Sequence, residues 1–146
     1  MKKLFIYYSY TGNGELVAQK MQEKGYDLRK VETKKGLSKI FFFAMMSGGF
    51  QAGIKMKAKL KEFNYDISEY DEIVIGSPIW NDRFAPAINT VLANIDLKNK
   101  DLSFIFYAGS GEGKHALKRV NKEYPGSKCI FLKQPKDYPE ELKKLD

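Results

Sequence analysis

Hydroxyl, amide and glycine residues are concentrated in one short stretch, residues 9–15, which reads SYTGNGE and follows the apolar run LFIYY. A glycine-rich turn between a strand and a helix can hold phosphate, because backbone N–H groups and the positive end of the helix dipole converge there. Two kinds of phosphate group fit such a turn, a dinucleotide pyrophosphate and a terminal phosphomonoester. A third interpretation is an empty turn with Ser or Thr helix caps.

The spacing of this turn fits a dinucleotide motif only in part. The two glycines of GNG supply the start of G-x-G-x-x-G, but Val17 stands where the third small residue belongs. Glu32 follows the second glycine by 18 residues and remains a candidate ribose ligand. The hydroxyls of Ser9 and Thr11 favour a phosphomonoester, because it carries more charge and more acceptor oxygens than a pyrophosphate diester. The turn contains no Lys or Arg, which fits binding by neutral dipoles.

A second loop, GSPIWND at 76–82, carries the only tryptophan of the chain, Trp80. It follows an apolar run that reads as a central strand, and Pro78 stiffens the turn before the indole. A planar aromatic group beside a phosphate-binding turn favours a ligand with a ring system attached to its phosphate. The alternative is a tryptophan that fills the core or the surface.

A third loop, GSGEG at 109–113, is followed by a lysine and so approaches the P-loop pattern. It is one residue too short for that pattern, and His115 stands where Ser or Thr should bind magnesium. We interpret it as a flexible backbone loop that offers N–H groups to ring carbonyls, since glycines permit a close approach. A solvent-exposed loop before a helix is the alternative.

Short apolar runs alternate with helix-like stretches, a pattern that predicts an α/β protein with a parallel sheet. The predicted elements are strands at 3–9, 26–32, 71–77, 102–108 and 128–133, helices at 14–24, 86–95 and 114–124, and helical turns in the tail 138–146. Right-handed crossovers give a doubly wound, three-layer α/β/α sheet of five strands in order 2-1-3-4-5, in one domain, 1–146. Such sheets bind ligands beyond the carboxyl ends of their strands, where the three loops would meet.

The net charge of +7 comes from one segment. The Lys-rich segment, residues 33–61, contains seven lysines and no acidic residue. In the rest of the chain, basic and acidic residues are equal in number. The Lys-rich segment is either a solvated face or a docking surface for an acidic partner, a nucleic acid or a membrane. No run approaches the roughly 20 apolar residues of a membrane span. With Cys129 as the only cysteine, no internal disulfide can form, and we expect a cytoplasmic protein.

Three stretches in this order resemble the flavodoxin superfamily, whose members bind FMN: FIYYSYTGNGELVA, YDEIVIGSPIWNDRFAPAINTVL and FIFYAGSGEGKHALKRV. The similarity is greatest to short flavodoxin-like flavoproteins with a Lys-rich segment before the third strand. Two of the departures from the usual family pattern concern the phosphate loop and the net charge. Gly14 stands where the phosphate loop usually has Thr, and this chain is basic whereas electron-carrier flavodoxins are typically acidic.

The resemblance implies FMN as cofactor, held by three groups of residues. The phosphate loop would comprise Ser9, Tyr10, Thr11, Gly12, Asn13 and Gly14. The isoalloxazine ring would be lined by Ser77, Pro78, Ile79, Trp80 and Asn81, and closed on its other side by Ala108, Gly109, Ser110, Gly111 and Gly113. It implies no catalytic side chain and no metal, because the flavin carries the redox chemistry. An Asp82 carboxylate facing the ring would disfavour an anionic hydroquinone and lower its potential.

Three functions follow as expectations. The first is electron transfer to a redox partner protein, with an acidic partner docking on the Lys-rich segment. The second is an FMN-dependent oxidoreductase for NAD(P)H or a quinone, in which the apolar stretch 40–54 forms a lid or a membrane-surface patch. The third is a flavin-free binding module that uses the basic segment, although no nucleic-acid motif is present. Cys129 is expected to be buried and inert, and His115 to lie at the surface.

Overall fold

The computed structural model describes residues 1–34 and 57–146. Strands alternate with helices along these two stretches, as the pattern of apolar runs predicts. The strands are β1 (Lys3–Tyr7), β2 (Asp27–Lys30), β3 (Glu72–Trp80), β4 (Arg83–Phe84), β5 (Asp101–Ala108) and β6 (Lys128–Lys133). The helices are α1 (Asn13–Glu23), α2 (Pro86–Asn94), α3 (Lys114–Glu123) and a terminal 3₁₀ helix (Pro139–Leu145).

The strands form one sheet in the order β2-β1-β3-β5-β6, and every pair along this path is parallel. These five strands, counted by themselves, follow the predicted order 2-1-3-4-5, so the predicted flavodoxin-like fold class is confirmed. The two-residue strand β4 was not predicted and pairs antiparallel with the end of β3.

Side chains of β1 alternate between two apolar layers, which explains why the sheet is covered on both faces. Leu4 and Ile6 belong to the cluster that contains the buried residues of α2 and α3. Phe5 and Tyr7 belong to the opposite cluster, which contains the buried residues of α1 and of the terminal helix. The result is the predicted α/β/α arrangement of three layers.

Three predicted strands need correction. The predicted strand 71–77 continues to Trp80, because Ile79 and Trp80 pair with Phe84 and Arg83 in a hairpin. Pro78, Ile79 and Trp80 are therefore strand residues and not loop residues. The predicted strand 3–9 ends two residues earlier, at Tyr7. The predicted strand 26–32 comprises only Asp27–Lys30. Within the described residues, no helix is both long enough and apolar enough to cross a membrane.

Candidate functional site

The carboxyl ends of β1, β3 and β5 lie side by side, because these strands are neighbours in the sheet. Their loops therefore meet at one edge, as the strand order predicts. The first loop is the turn 8–12 before α1, the second is the two-residue turn between β3 and β4, and the third is the loop 109–113 before α3. These loops hold most of the residues that the sequence proposes for the site.

The first turn holds two hydroxyl groups in fixed hydrogen bonds. Gly12 adopts a left-handed conformation with φ of 99° at the start of α1, which a residue with a side chain would adopt only with strain. The backbone N–H of Gly14 donates to Ser9 Oγ at 3.1 Å, and the Asn13 amide donates to Thr11 Oγ1 at 3.3 Å. Since each hydroxyl oxygen accepts a bond from the turn, each hydroxyl proton remains available to donate to a ligand.

Gly14 is enclosed on the side where a side chain would grow. A Cβ atom placed there would lie 2.6 Å from Ser9 Cβ and 2.8 Å from the Tyr107 hydroxyl oxygen. The Tyr107 hydroxyl donates to the backbone carbonyl of Tyr8, and burial raises the pKa of Tyr107 well above its usual value. The space that a threonine would need at position 14 is thus filled by Ser9 and Tyr107.

The acidic side chain that lies nearest to this turn in sequence, Glu15, has its charge neutralised by Lys30. Glu15, in the first turn of α1, forms an ion pair with Lys30 at 2.7 Å and accepts a hydrogen bond from the Tyr7 hydroxyl at 3.2 Å. Burial, and then the charge of Glu15, raise the pKa of Tyr7 to about 12. Tyr7 therefore stays protonated at neutral pH and continues to donate to Glu15.

The second loop consists of Asn81 and Asp82 alone. Both residues have positive φ, 48° and 63°, as a two-residue type I′ hairpin turn requires. The Asp82 carboxylate accepts hydrogen bonds from the backbone N–H of His115, at 3.1 Å, and lies 2.7 Å from Nδ1 of the same residue. It thereby caps the start of α3 and joins the second loop to the third.

Trp80 lies beneath this turn with only 6% of its surface exposed. Its ring meets the rings of Tyr8 and Tyr10 edge to face, with centroids 5.9 Å and 5.6 Å apart. Tyr10 itself is 43% exposed. The indole therefore supports the wall of the site from behind, and its role as a stacking face for the ring stays a prediction.

Ser77 is fully buried, and its hydroxyl is used inside the protein. The hydroxyl donates to the carbonyl of Pro78 at 2.8 Å and accepts from the backbone N–H of Ala85 at 3.1 Å. These bonds fix the chain between the end of β3 and the start of α2. Ser77 thus positions the second loop, although the sequence proposes it as a cofactor contact.

A cleft of about 370 Å³ opens between the second and third loops. It is lined by Ile79, Asn81, Asp82, Ala108, Gly109, Ser110, Glu112 and Lys114. Five of these residues were proposed from the sequence, whereas Asp82, Glu112 and Lys114 were not in the proposed set. Gly111 and Gly113 are not among its lining residues. A Cβ atom at Gly111 would come within 3.1 Å of the Lys133 side chain. A Cβ atom at Gly113 would lie 2.9 Å from Phe131 and 3.5 Å from Asp82 and Ile79, which do line the cleft.

A fourth loop, residues 134–138 after β6, also reaches the site and was not foreseen. The backbone N–H of Gln134 donates to the carbonyl of Ala108 at 3.1 Å, which ties this loop to the third one. The backbone N–H of Lys136 donates to the Asn13 side chain at 2.9 Å, which ties it to the first turn. The predicted strand order could have indicated this loop, because the carboxyl ends of all parallel strands lie at the same edge of the sheet.

The Lys-rich segment 33–61 is described only at its two ends, and the proposed lid 40–54 lies outside the described residues. The two ends are held together, since Thr33 pairs with Leu60 and Lys61 N–H donates to the Glu32 carbonyl at 2.8 Å. The Glu32 carboxylate forms an ion pair with Lys61 at 3.4 Å. Glu32 therefore already has a cationic partner.

Two isolated residues, Cys129 and His115, were expected to be buried and to lie at the surface, respectively; Cys129 is less buried than expected. Cys129 is partly buried in β6, and burial raises the pKa of its thiol to about 11, which disfavours the reactive thiolate. The side chain of His115 is 59% exposed. Its ring nevertheless contacts Asp82, which links it to the second loop.

The sequence matches the family described as Flavodoxin over residues 2–136. No curated protein matches the chain. Many solved structures share its fold, and three of them are as follows. A protein from Bacteroides eggerthii is 23% identical, with a TM-score of 0.76, and the match covers 98% of this chain and 96% of that one. A flavoprotein from Lactobacillus acidophilus in complex with FMN is 22% identical, with a TM-score of 0.66 and coverage of 95% and 97%. A flavodoxin from the domain Archaea is 15% identical, with a TM-score of 0.51 and coverage of 98% and 92%.

Proposed function

The chain belongs to the flavodoxin family, and from this premise we propose that it binds FMN and acts in electron transfer. The observation that carries the proposal is the pairing of two features on neighbouring strands. One is a helix-start turn with two oriented hydroxyl groups, Ser9 and Thr11, and the other is the cleft beside it. A phosphate linked to a planar ring system has the chemistry that suits both features.

The residues of the first turn would hold the phosphate. Ser9 and Thr11 would donate their hydroxyl protons, and the start of α1 would add the positive end of its dipole. Gly14 leaves this turn one hydroxyl short of the usual family pattern, so the two remaining hydroxyls carry more of the binding. The ion pair of Glu15 with Lys30 balances the nearest negative charge.

The residues of the cleft would surround the isoalloxazine ring. FMN supplies the one- or two-electron chemistry when bound, and the protein contributes orientation and electrostatics. Asn81 and Asp82 provide one wall, with both backbones already in the left-handed region. Glu112 and Lys114 bring opposite charges to the other wall. The Asp82 charge is shared with the start of α3 and with His115, which moderates its effect on the ring.

We further propose that the redox partner presents an acidic surface. The net charge of +7 supports such a partner, as do Lys57 and Lys59, two exposed lysines near the carboxyl-terminal end of the Lys-rich segment. Docking of this kind depends on ionic strength, because exposed charges are screened within about 10 Å at 0.1 M salt.

The test is the visible absorbance spectrum of the purified protein, before and after addition of FMN and removal of the excess. We expect bound flavin in a 1:1 complex that remains oxidised when NADH or NADPH is added without oxygen. Rapid bleaching by either nucleotide would favour an FMN-dependent oxidoreductase over a carrier. A colourless protein that FMN cannot reconstitute would contradict the proposal and leave the flavin-free binding module as the better interpretation.

A further inference from the structure

The first turn contains no basic residue, although the phosphate group of FMN is a dianion. Residues 8–15 read YSYTGNGE, and their one charged side chain, Glu15, is negative. Hydroxyl groups and a helix start offer partial charges only. Any full positive charge at this turn must come from a distant part of the chain.

Lys136 brings such a charge to the turn from 125 residues away in sequence. Its ammonium donates to the carbonyl oxygen of Thr11 at 3.3 Å, and its backbone N–H donates to Asn13 Oδ1 at 2.9 Å. The stem of the side chain passes beside Gly12, where a Cβ atom would lie 3.9 Å from Lys136 Cδ. Both ends of this lysine are thus attached to the turn.

The loop that carries Lys136 is itself held by hydrogen bonds. The N–H groups of Asp137 and Tyr138 each donate to the carbonyl of Gln134 at 2.9 Å, which forms a compact turn after β6. The N–H of Gln134 attaches this turn to Ala108 at the end of β5. Lys136 is therefore presented by a fixed loop, although its side chain lies at the surface.

We propose that Lys136 is a phosphate-binding residue, which supplies the ionic contact that the first turn lacks. The inference rests on the proposed function, because it concerns how the same site recognises FMN. An ammonium group has three N–H donors. One of them binds Thr11, and among the described residues the other two have no acceptor, so they can donate to phosphate oxygens.

The backbone of Lys136 also helps to hold the side chains of the first turn in place. The Asn13 side chain accepts from the backbone of Lys136 and donates to Thr11 Oγ1. The loop after β6 therefore fixes the Asn13 amide, and the amide in turn fixes the Thr11 hydroxyl. When the lysine side chain is replaced, the backbone bond to Asn13 remains. A substitution at 136 therefore removes the charge and the bond to the Thr11 carbonyl, and keeps the bonds that hold Asn13 and the Thr11 hydroxyl.

The experiment compares FMN with riboflavin, which has the same ring and no phosphate. Dissociation constants are measured by flavin fluorescence for the wild type, Lys136→Met, Lys136→Arg and a control variant, Lys122→Met. Lys122 is an exposed lysine in the last turn of α3 and has no place in the site. Its substitution removes the same net charge from a distant surface.

For Lys136→Met we expect FMN binding about threefold to fivefold weaker, the upper end of what an exposed ion pair contributes. Riboflavin binding should not change. Lys136→Arg should restore most of the FMN affinity, and Lys122→Met should bind FMN like the wild type. The difference between wild type and Lys136→Met should shrink as salt is raised from 0.02 to about 0.5 M, because an exposed contact is screened.

The contradicting results separate this inference from the proposed function. If the wild type binds FMN and Lys136→Met binds it equally well, Lys136 is not a phosphate ligand, while the proposed function stands. If Lys136→Met weakens FMN and riboflavin equally, the lysine acts on the fold or on the ring and not on the phosphate. If the wild type binds neither flavin, the proposed function fails and the inference fails with it.

Discussion

Substitution of Gly14 by alanine tests whether the first turn depends on close packing against Tyr107. The new Cβ atom would lie 2.6 Å from Ser9 Cβ and 2.8 Å from the Tyr107 hydroxyl, so at least one of them must move. Overpacking of this kind costs about 1–3 kcal/mol. Loss of the Gly14 to Ser9 hydrogen bond adds about 1 kcal/mol, and better helix propensity returns up to about 1 kcal/mol. We expect the free energy of unfolding to fall by about 1–4 kcal/mol.

The same substitution should weaken FMN binding, because Ser9 moves out of position. A hydrogen bond to a charged group contributes about 1.5–3 kcal/mol, so the dissociation constant should rise at least roughly tenfold. The assays are urea unfolding followed by circular dichroism and FMN titration followed by fluorescence. Tyr107→Phe removes one of the two obstructing atoms. It should therefore cost less stability in the Gly14→Ala protein than in the wild type, which a double-mutant cycle measures.

Gly126→Ala is the matched control. Gly126 has φ of 86° and open space around it, so alanine there adds left-handed backbone strain of about 1–2 kcal/mol without any collision. It lies before β6, at the sheet edge opposite the site, and should lower stability while leaving FMN binding unchanged. If Gly14→Ala unfolds at the wild-type urea concentration and binds FMN with the wild-type dissociation constant, the first turn does not depend on close packing at position 14.

Four further expectations concern single side chains. Thr11→Val should weaken FMN binding more than Glu32→Gln, since Glu32 is paired with Lys61; fluorescence titrations that show an equal or larger loss at Glu32 would favour a dinucleotide site. Asp82→Asn removes a negative charge from the cleft wall and should raise the midpoint potential of bound FMN in a reductive titration. An unchanged potential would show that the Asp82 charge does not affect the flavin. Burial raises the pKa of Cys129 from 9.0 to about 11, so a thiol reagent at pH 8 should react more slowly with the folded protein than with the protein in urea, and equal rates would contradict this. Because the unfolded thiol ionises first, this group should also lower the free energy of unfolding between about pH 9 and about pH 11, measured by urea titrations at each pH.

The fold could be predicted because its signals are local and agree with one another. Each parallel strand appears in the sequence as a short apolar run, and each is followed by turn residues. The alternation of Leu4 and Ile6 with Phe5 and Tyr7 gives both faces of β1 an apolar surface, as a central strand requires. The strand order then follows from the right-handed crossover rule, which needs no knowledge of side-chain contacts.

The details of the site depend on contacts between distant residues, and these leave no local signal. Pro78 indicated a loop, yet β3 continues through it because β4 pairs with the two residues that follow. Tyr107 appeared only as an apolar strand residue, although its hydroxyl determines what position 14 can hold. Lys136 appeared only as one of many lysines, and the sheet topology alone brings it to the first turn.

A map of the FMN-binding surface by nuclear magnetic resonance tests the proposed FMN site most directly. Amide resonances of ¹⁵N-labelled protein are recorded during titration with FMN. We predict that the largest changes fall in the three loops, residues 9–14, 79–82 and 108–113, and at Lys136 in the loop after β6. Absence of changes, or changes centred on the opposite edge of the sheet around Tyr26 and Asp101, would contradict the account.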